Sequence, residues 1–220
     1  MDVWRVRLSS TTPNETTLSE DERQRSSRFH FDKDRNRFII AHASLRDILA
    51  RYLHGEPQQI SFSTNEFGKP FLPDHEIEFN LSHSGDYALI AVTRGRSVGV
   101  DIEQIRMDVE IENLASRYFS TGEVSELMGL PPHGRVVGFF NCWTRKEAYV
   151  KARGLGLSLP LDGFDVSLAP NEPSVLRATR PDPDEATRWS LHSIFVDRDY
   201  VGALVIEGGG LKLRYLNWNV

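Results

Sequence analysis

One pattern occurs twice along this chain, and it constrains the fold more than any other feature. Apolar residues recur at helical spacing through roughly 34–53 and again through roughly 136–152, and short strand-like segments follow both stretches. No sequence identity between the halves is evident, so the repeat is one of pattern. It predicts an α+β fold with two pseudo-symmetric lobes, residues 1–104 and 105–220, each a long helix packed on a small antiparallel sheet. A cleft between such lobes is the expected place for a ligand.

The smaller elements follow from periodicity and turn residues. We expect a helix to begin at Thr17–Glu22, and a helical segment to run over 108–128 with an interruption near 119–122. Residues 131–134 read as a loop before the second long helix, and Arg94-Gly95-Arg96 as the turn of a tight hairpin. The expected strands are 3–8, 60–63, 77–82, 87–93, 97–103, 164–168, 189–196, 200–206 and 211–216.

The composition argues against several classes of protein. The chain has 220 residues, a formal net charge of −5 and a single cysteine, Cys142. The negative charge disfavours bulk nucleic-acid binding, and one cysteine permits no disulfide framework within the chain. No apolar run approaches the roughly 18 residues that span a bilayer, and the N-terminal sequence MDVWRVRLSS does not resemble a secretory signal. We therefore expect a cytoplasmic protein that engages neither membranes nor nucleic acid.

The segment Val98–Glu103 is the first candidate for chemistry. Side chains alternate along a strand, so its valines and isoleucine would face a core while Asp101 and Glu103 share the opposite face with Gly99. Two carboxylates that converge in this way repel one another unless a cation lies between them, and hard oxygen ligands suit magnesium. The alternative is an ordinary solvated strand face, which the spacing alone does not exclude.

The second candidate lies on the second long helix. Trp143, Glu147 and Lys151 recur at intervals of four residues and therefore lie on one side of that helix. An acid and a base at this spacing often form a simple surface pair of small energetic value. Trp143 on the same stripe points instead to a partly buried face, where an isolated charge is expensive.

Further polar residues precede these two motifs. Ser82 and His83 follow an expected strand, where side chains often meet ligands, and Lys69 lies on a rigid Phe67–Pro70 turn. A lone histidine is more often a surface residue or a satisfied turn residue than a functional one. A basic cluster near the N-terminus would suit phosphate groups, although such charge runs are usually solvated. It consists of Arg25, Arg28, Lys33, Arg35 and Arg37.

Taken together and in order, these motifs resemble the Sfp-type 4′-phosphopantetheinyl transferases. The matching blocks are F-G-K-P at 67–70, N-L-S-H-S at 80–84, V-G-V-D-I-E at 98–103, and W-T-R-K-E-A-Y-V-K at 143–151 with G-L-S-L-P-L after it. Arg145 and the basic N-terminal segment match the family pattern only loosely. The resemblance implies a monomeric pseudo-dimer that transfers the 4′-phosphopantetheine arm of coenzyme A to a serine of a carrier protein and releases adenosine 3′,5′-bisphosphate, with Mg²⁺ (or Mn²⁺).

The resemblance also implies roles for individual residues. Asp101, Glu103 and Glu147 match the magnesium ligands, and Lys151 matches the lysine on the diphosphate. A glutamate, Glu147 or Glu103, would accept the proton of the carrier serine, and the sequence does not decide which. The expected contacts to the nucleotide and its 3′-phosphate are Lys69, Ser82, His83 and, by position in the basic segment, Arg25 and Arg37.

The implied partner is an acidic, helical acyl or peptidyl carrier domain. Residues 107–128 are the candidate docking region, although their apolar side chains would serve equally well as core. Neither the biosynthetic pathway of the carrier nor the range of acyl-coenzyme A substrates follows from the sequence. Two rival hypotheses remain: a coenzyme A-binding module without catalysis, and a shorter trimeric holo-acyl-carrier synthase, which the chain length disfavours.

Overall fold

The computed structural model describes residues 1–218 and has the α+β architecture that the sequence predicts. The helices in this range are α1 (Glu20–Ser26), α2 (Asp32–Leu53), α3 (Ile111–Tyr118), α4 (Thr121–Gly129) and α5 (Pro132–Arg153). The strands are β1 (Asp2–Arg7), β2 (Ser63–Thr64), β3 (Pro70–Phe71), β4 (Ile77–Ser84), β5 (Tyr87–Arg94), β6 (Val98–Gln104), β7 (Phe164–Val166), β8 (Leu176–Thr179), β9 (Trp189–Ile194), β10 (Tyr200–Glu207) and β11 (Arg214–Trp218).

The longer strands form two sheets. The first has the order β11-β1-β5-β4 and is antiparallel except for the parallel pair of β1 and β11. The second has the order β6-β10-β9 and is antiparallel throughout. Strands β2 and β3 form one small ladder, and β7 and β8 form another.

The two long helices cover the outer faces of these sheets. Helix α2 packs its apolar side on the first sheet around Phe79 and Ile90, and α5 packs on the second sheet around Ala203 and Val205. A third apolar cluster lies between the sheets and includes Val98, Val100 and Ile102. The order is therefore helix, sheet, sheet, helix, with the expected inward face of the 98–103 segment buried between the sheets.

Local signals set the helix ends. The Ser19 side chain caps α1, and Glu22 completes a capping box by accepting a hydrogen bond from the Ser19 backbone. Helix α5 ends at Gly154, whose φ of 65° is the left-handed conformation that glycine adopts most readily. The expected break near 119–122 is confirmed as the junction between α3 and α4, where Ser120 caps α4.

Several expectations about the strands and helix ends are wrong. Strands β5 and β6 do not form a hairpin, because the chain passes from the first sheet to the second between them. Helix α5 begins at Pro132, inside the expected 131–134 loop, since proline is well tolerated in a first helical turn. The expected strand 60–63 is reduced to Ser63–Thr64, and β8 was not foreseen.

The C-terminal strand has an unexpected place in the fold. Strand β11 leaves the second half of the chain and pairs with β1 in the first sheet, with Asp2 opposite Arg214. The division into lobes 1–104 and 105–220, and their pseudo-symmetry, stay predictions. Within residues 1–218, no helix combines the length and the apolar character needed to cross a membrane.

Candidate active site

A very close approach of α5 to β6 creates the candidate site. A Cβ atom on Gly99 would lie 2.1 Å from the Ala148 carbonyl oxygen and 2.3 Å from the Ala152 nitrogen, so only glycine permits this packing. Because side chains alternate along β6, the face that carries Gly99 also carries Asp101. The strand therefore presents this carboxylate to the helix that carries the predicted Glu147 and Lys151.

Asp101 is the centre of a buried polar junction. Only 4 % of the residue is exposed, which excludes the solvated strand face as an explanation for it. Its Oδ1 lies 2.6 Å from Lys151 Nζ and accepts a hydrogen bond of 2.7 Å from Ser82 Oγ. Lys151 Nζ also donates to Ser82 Oγ at 3.0 Å. Three predicted site residues, from β4, β6 and α5, thus meet at one point.

Glu103 lies one pleat further along β6. Its Oε2 accepts a hydrogen bond of 2.7 Å from Ser84 Oγ on β4. Burial and the negative charge of Asp101 raise the pKa of Glu103 from its usual value, against the lowering effects of Ser84 and Lys151. The carboxylate therefore lies in an environment that disfavours its charge.

Glu147 belongs to the same electrostatic group. Burial, the charge of Asp101 and the charge of Glu103 raise its pKa, and Lys151 acts in the opposite direction. The surface pair that the i, i+4 spacing offers is not formed, since Lys151 bonds to Asp101 instead. Like charges held this close are a common mark of functional sites.

The three predicted metal ligands, Asp101, Glu103 and Glu147, are carboxylates, the kind of donor that a hard divalent cation prefers. Within the described residues, no three His, Cys, Asp or Glu side chains lie close enough together to form a ready-made metal site. The donor set is nevertheless suitable, because Asp101 Oδ2 is buried and makes no hydrogen bond with any described residue. Glu103 and Glu147 lie within its electrostatic range and supply carboxylate oxygens, the ligands that Mg²⁺ prefers.

Strands β4 and β6 are joined by side chains along a seam beside the site. Asn80 Oδ1 accepts a hydrogen bond of 2.8 Å from Val100 N, and Ser84 Oγ accepts one of 3.1 Å from Gln104 N. Sequence reasoning missed this role of Asn80 and Ser84. The period-two recurrence of polar residues at Asn80, Ser82 and Ser84 is the signal that points to one shared strand face.

Lys69 takes part in the architecture of the site. Its Nζ donates to the Val98 carbonyl at 3.0 Å and to the Ala152 carbonyl at 3.3 Å, which ties the 67–70 turn to β6 and to the end of α5. Burial lowers the pKa of Lys69, and the charge of Glu78 partly offsets this. The Asn65 amide, which sequence reasoning also missed, donates to the Gly154 carbonyl at 2.7 Å.

A cleft of about 590 Å³ opens beside this junction. Glu147, Lys151 and Lys69 contribute its polar side, while Tyr118 of α3 and residues 157–161 after α5 form much of its apolar wall. This volume lies in the range of small-molecule sites.

The remaining predicted residues lie at one end of the site. His83 is exposed, yet the surrounding protein partly desolvates its ring, and this desolvation, followed by the positive charges of His42, Lys151, Arg37 and Arg25, lowers its pKa. Arg25 stacks over the Phe38 ring at 5.3 Å, and Arg37 bonds to Asp86 at 2.5 Å. The structure therefore brings these predicted phosphate contacts near one another, together with His42 and Asp86, which the sequence did not single out.

Comparisons with known proteins match both halves of the chain to one family. A family model described as the 4′-phosphopantetheinyl transferase superfamily matches residues 97–205, and a model of the 4′-phosphopantetheinyl transferase N-terminal region matches 3–95. The 4′-phosphopantetheinyl transferase HetI of Nostoc sp. is 37% identical over 224 residues, which cover 98% of this chain and 91% of the relative. Sfp of Bacillus subtilis, also named a 4′-phosphopantetheinyl transferase, is 35% identical over 152 residues, covering 69% of this chain and 66% of the relative.

A more distant likeness is to the crystal structure of Thermotoga maritima holo-[acyl-carrier-protein] synthase. The TM-score is 0.40 at 22% sequence identity, over 51% of this chain and 62% of the other. The sequence matches show that the chain belongs to the 4′-phosphopantetheinyl transferase family. It is a transferase of that type, which confirms the resemblance seen in its motifs.

Proposed function

We propose that this enzyme transfers the 4′-phosphopantetheine group of coenzyme A to a serine of an apo carrier protein and releases adenosine 3′,5′-bisphosphate. The observation that carries the proposal is the buried Asp101–Lys151 pair, with Glu103 and Glu147 beside it, at the edge of a cleft. Transfer of a phosphoryl-type group depends mainly on positioning and charge neutralisation, which such a cluster of acids and a lysine can provide.

We propose Asp101, Glu103 and Glu147 as the residues that hold Mg²⁺, with Mn²⁺ as a substitute. The orphaned Asp101 Oδ2 supports this assignment, because a buried carboxylate oxygen without a partner is costly. When bound, the ion supplies neutralisation of the diphosphate oxygens.

The chain's own residues have distinct parts in the proposed reaction. The carrier serine Oγ forms a bond to the phosphorus that bears the pantetheine, and the bond from that phosphorus to the bridging oxygen breaks. The serine proton passes to a nearby carboxylate, Glu147 or Glu103. Lys151, already held by Asp101 and Ser82, stabilises the charge that develops on the leaving bisphosphate.

Coenzyme A would occupy the cleft and the basic end of the site. The apolar wall beside Lys69 suits a nucleobase and ribose, and Ser82 lies at the junction itself. His83, Arg25 and Arg37 form the predicted end for the 3′-phosphate, where several positive charges act on one imidazole.

The carrier would be an acyl or peptidyl carrier domain, acidic and helical, that presents its serine at the mouth of the cleft. The sequence left open whether the predicted docking region 107–128 consists of exposed docking residues or of buried core residues, and the region contains both. Met107 is exposed, whereas Ala115 and Leu127 are buried core residues. We further propose that the enzyme is a cytoplasmic monomer; elution of a trimer on size-exclusion chromatography would contradict the monomer.

Intact-mass spectrometry of carrier proteins tests this function. With coenzyme A and magnesium, the enzyme should make an apo carrier heavier by about 340 Da, the mass of the transferred group. Asp101→Asn should abolish the gain, whereas Asp184→Asn, at an exposed position, should leave it unchanged. No mass gain across a panel of acyl and peptidyl carriers, together with calorimetric binding of coenzyme A, would favour the rival binding module.

A further inference from the structure

His42 on α2 is held in a fixed orientation close to the basic end of the site. Its side chain is 20% exposed, and its Nδ1 lies 3.0 Å from Glu22 Oε1 on α1. The imidazole ring also stacks on Phe38, with a centroid distance of 4.1 Å. Two independent contacts therefore fix both the plane of the ring and the nitrogen that faces Glu22.

Glu22 is firmly held as a carboxylate. Its Oε2 accepts a hydrogen bond of 2.6 Å from Arg46 Nε and one of 2.9 Å from Ser19 N. Burial opposes ionisation, but hydrogen bonds from His42, the Ser19 backbone and Arg46 outweigh it and lower the pKa of Glu22 to about 2. Because an ionised carboxylate only accepts hydrogen bonds, Nδ1 of His42 carries a proton, and Nε2 is the nitrogen left for a ligand.

The groups around His42 favour a multiply charged anion. Arg25 on α1, Arg37 on α2 and Lys151 on α5 contribute positive charge, and together with His42 they lower the pKa of His83 on β4. The acids facing this region are already engaged, Glu22 by Arg46 and Asp86 by Arg37 at 2.5 Å. Cations from three helices thus converge where a phosphomonoester would balance them.

We propose that His42, oriented by Glu22, is a further phosphate-binding residue that donates from Nε2–H to the 3′-phosphate of coenzyme A. The proposal rests on the proposed function for the identity of the ligand. His42 lies outside the four sequence motifs, so the proposal adds a residue that the motifs do not identify. It also gives the capping-box glutamate Glu22 a second role, since the same carboxylate caps α1 and fixes the imidazole tautomer.

A pair of ligands that differ only in the 3′-phosphate tests this role. Dissociation constants of coenzyme A and 3′-dephospho-coenzyme A would be measured by calorimetry for the wild type and for His42→Asn. The loss of one charge-assisted hydrogen bond should reduce the preference for coenzyme A by roughly 10- to 100-fold, with binding of the dephospho form unchanged. His192→Asn, a partly buried histidine on β9, is the matched control and should keep the wild-type preference.

A second variant separates charge from shape. His42→Arg keeps a permanent cation beside Glu22, so it should retain most of the preference for coenzyme A over 3′-dephospho-coenzyme A. An unchanged preference in His42→Asn, or an equal loss of affinity for both ligands, would overturn the assignment. If the wild type itself neither bound coenzyme A nor modified a carrier, the proposed function would fail. If the wild type prefers coenzyme A over 3′-dephospho-coenzyme A and His42→Asn shows the same preference, only the proposed role of His42 would be wrong.

Discussion

At the scale of single residues, the candidate site depends on which carboxylate pairs with Lys151. Glu147 lies one helical turn away and is the usual partner for a lysine at this spacing. Lys151 instead lies 2.6 Å from Asp101, which is 4% exposed. A buried carboxylate has more to gain from a cation than a half-buried one, because water does not solvate it. Because Lys151 pairs with Asp101, the Glu147 side chain can line the cleft.

The Asp101–Lys151 pair gives a prediction for stability. Lys151→Met should lower the free energy of unfolding by about 3 kcal/mol, since it leaves Asp101 buried and uncompensated. The double variant Asp101→Asn with Lys151→Met should recover a large part of that loss. Urea unfolding of the four proteins in this cycle measures the effect, and additive losses would show that the two side chains do not depend on each other.

The ionised state of Glu22 predicts how the stability of the protein changes with pH. Its pKa in the folded protein is about 2, below the ordinary value of 4.5, so its contribution to stability is complete above about pH 4.5 and is lost as the pH falls toward about 2. Glu22→Gln should therefore be less stable than the wild type near neutral pH, and the difference should shrink on acidification through this window. Thermal unfolding at several pH values tests this, with exposed Glu66→Gln as the control. A difference that is constant with pH would contradict the ionised state of Glu22.

At the scale of elements, the seam between β4 and β6 explains both a success and a failure of prediction. The alternation of Val98, Val100 and Ile102 was enough to predict one apolar and one polar face of β6. The turn at 94–96 could not show that β6 joins another sheet, because a short turn looks the same in a hairpin and in a crossing between sheets. Instead of a backbone ladder between β4 and β6, Asn80 and Ser84 accept hydrogen bonds from the β6 backbone; the alternation of polar residues on β4 marks their shared face but does not identify β6 as the partner.

The contact of β6 with α5 gives a prediction at this scale. Gly99→Ala places a methyl group 2.1 Å from the Ala148 carbonyl oxygen, so strand and helix must separate. We expect a loss of about 3 kcal/mol in stability and a fall in transfer rate larger than the loss of folded protein explains. Gly129→Ala is the control, since a Cβ there meets nothing within 4 Å. Circular dichroism and the carrier assay provide the two measurements, and wild-type behaviour of Gly99→Ala would refute the close packing.

At the scale of the whole molecule, the halves of the chain depend on one another. Strand β11 pairs with β1, and the Trp218 indole donates to Asp47 on α2 at 2.7 Å. The cluster between the sheets combines Val3 and Leu89 of the first sheet with Leu204 of the second. Two lobes that share a core and exchange a strand are not expected to fold separately.

The fragment 1–104 tests this dependence. It lacks β11 and β10, so β6 would lose its ladder partner and the apolar cluster around Val3 and Leu89 would lose Leu204; we therefore expect no cooperative thermal transition for it alone. Co-expression with residues 105–220 should restore one. A sharp transition of the isolated fragment would instead support the predicted lobe boundary as a true folding boundary.

The sequence identified residues that carry the chemistry of the site, but it identified few of the residues and strands that hold them in place. Asp101 and Lys151 were predicted from the family resemblance of the motifs, since their spacing alone left an ordinary strand face and a surface pair open, and the structure places the two side chains in contact. His42 and Asn65 were missed, since each acts through a contact with a residue far away in the chain. The place of β11 was missed for the same reason, because a parallel pairing between the two ends of a chain leaves no periodic signal.

We propose that Asp101, Glu103 and Glu147 hold magnesium as one group during transfer. The most direct test is the rate of carrier modification as a function of magnesium concentration, for the wild type, Glu103→Gln and Glu147→Gln. The wild type should lose activity in a chelator and regain it with magnesium, while each variant should need a higher concentration or lose roughly 100-fold in rate. A wild-type rate that does not change in a chelator would contradict this proposal. Variants whose rates depend on magnesium concentration as the wild type's does would contradict it as well.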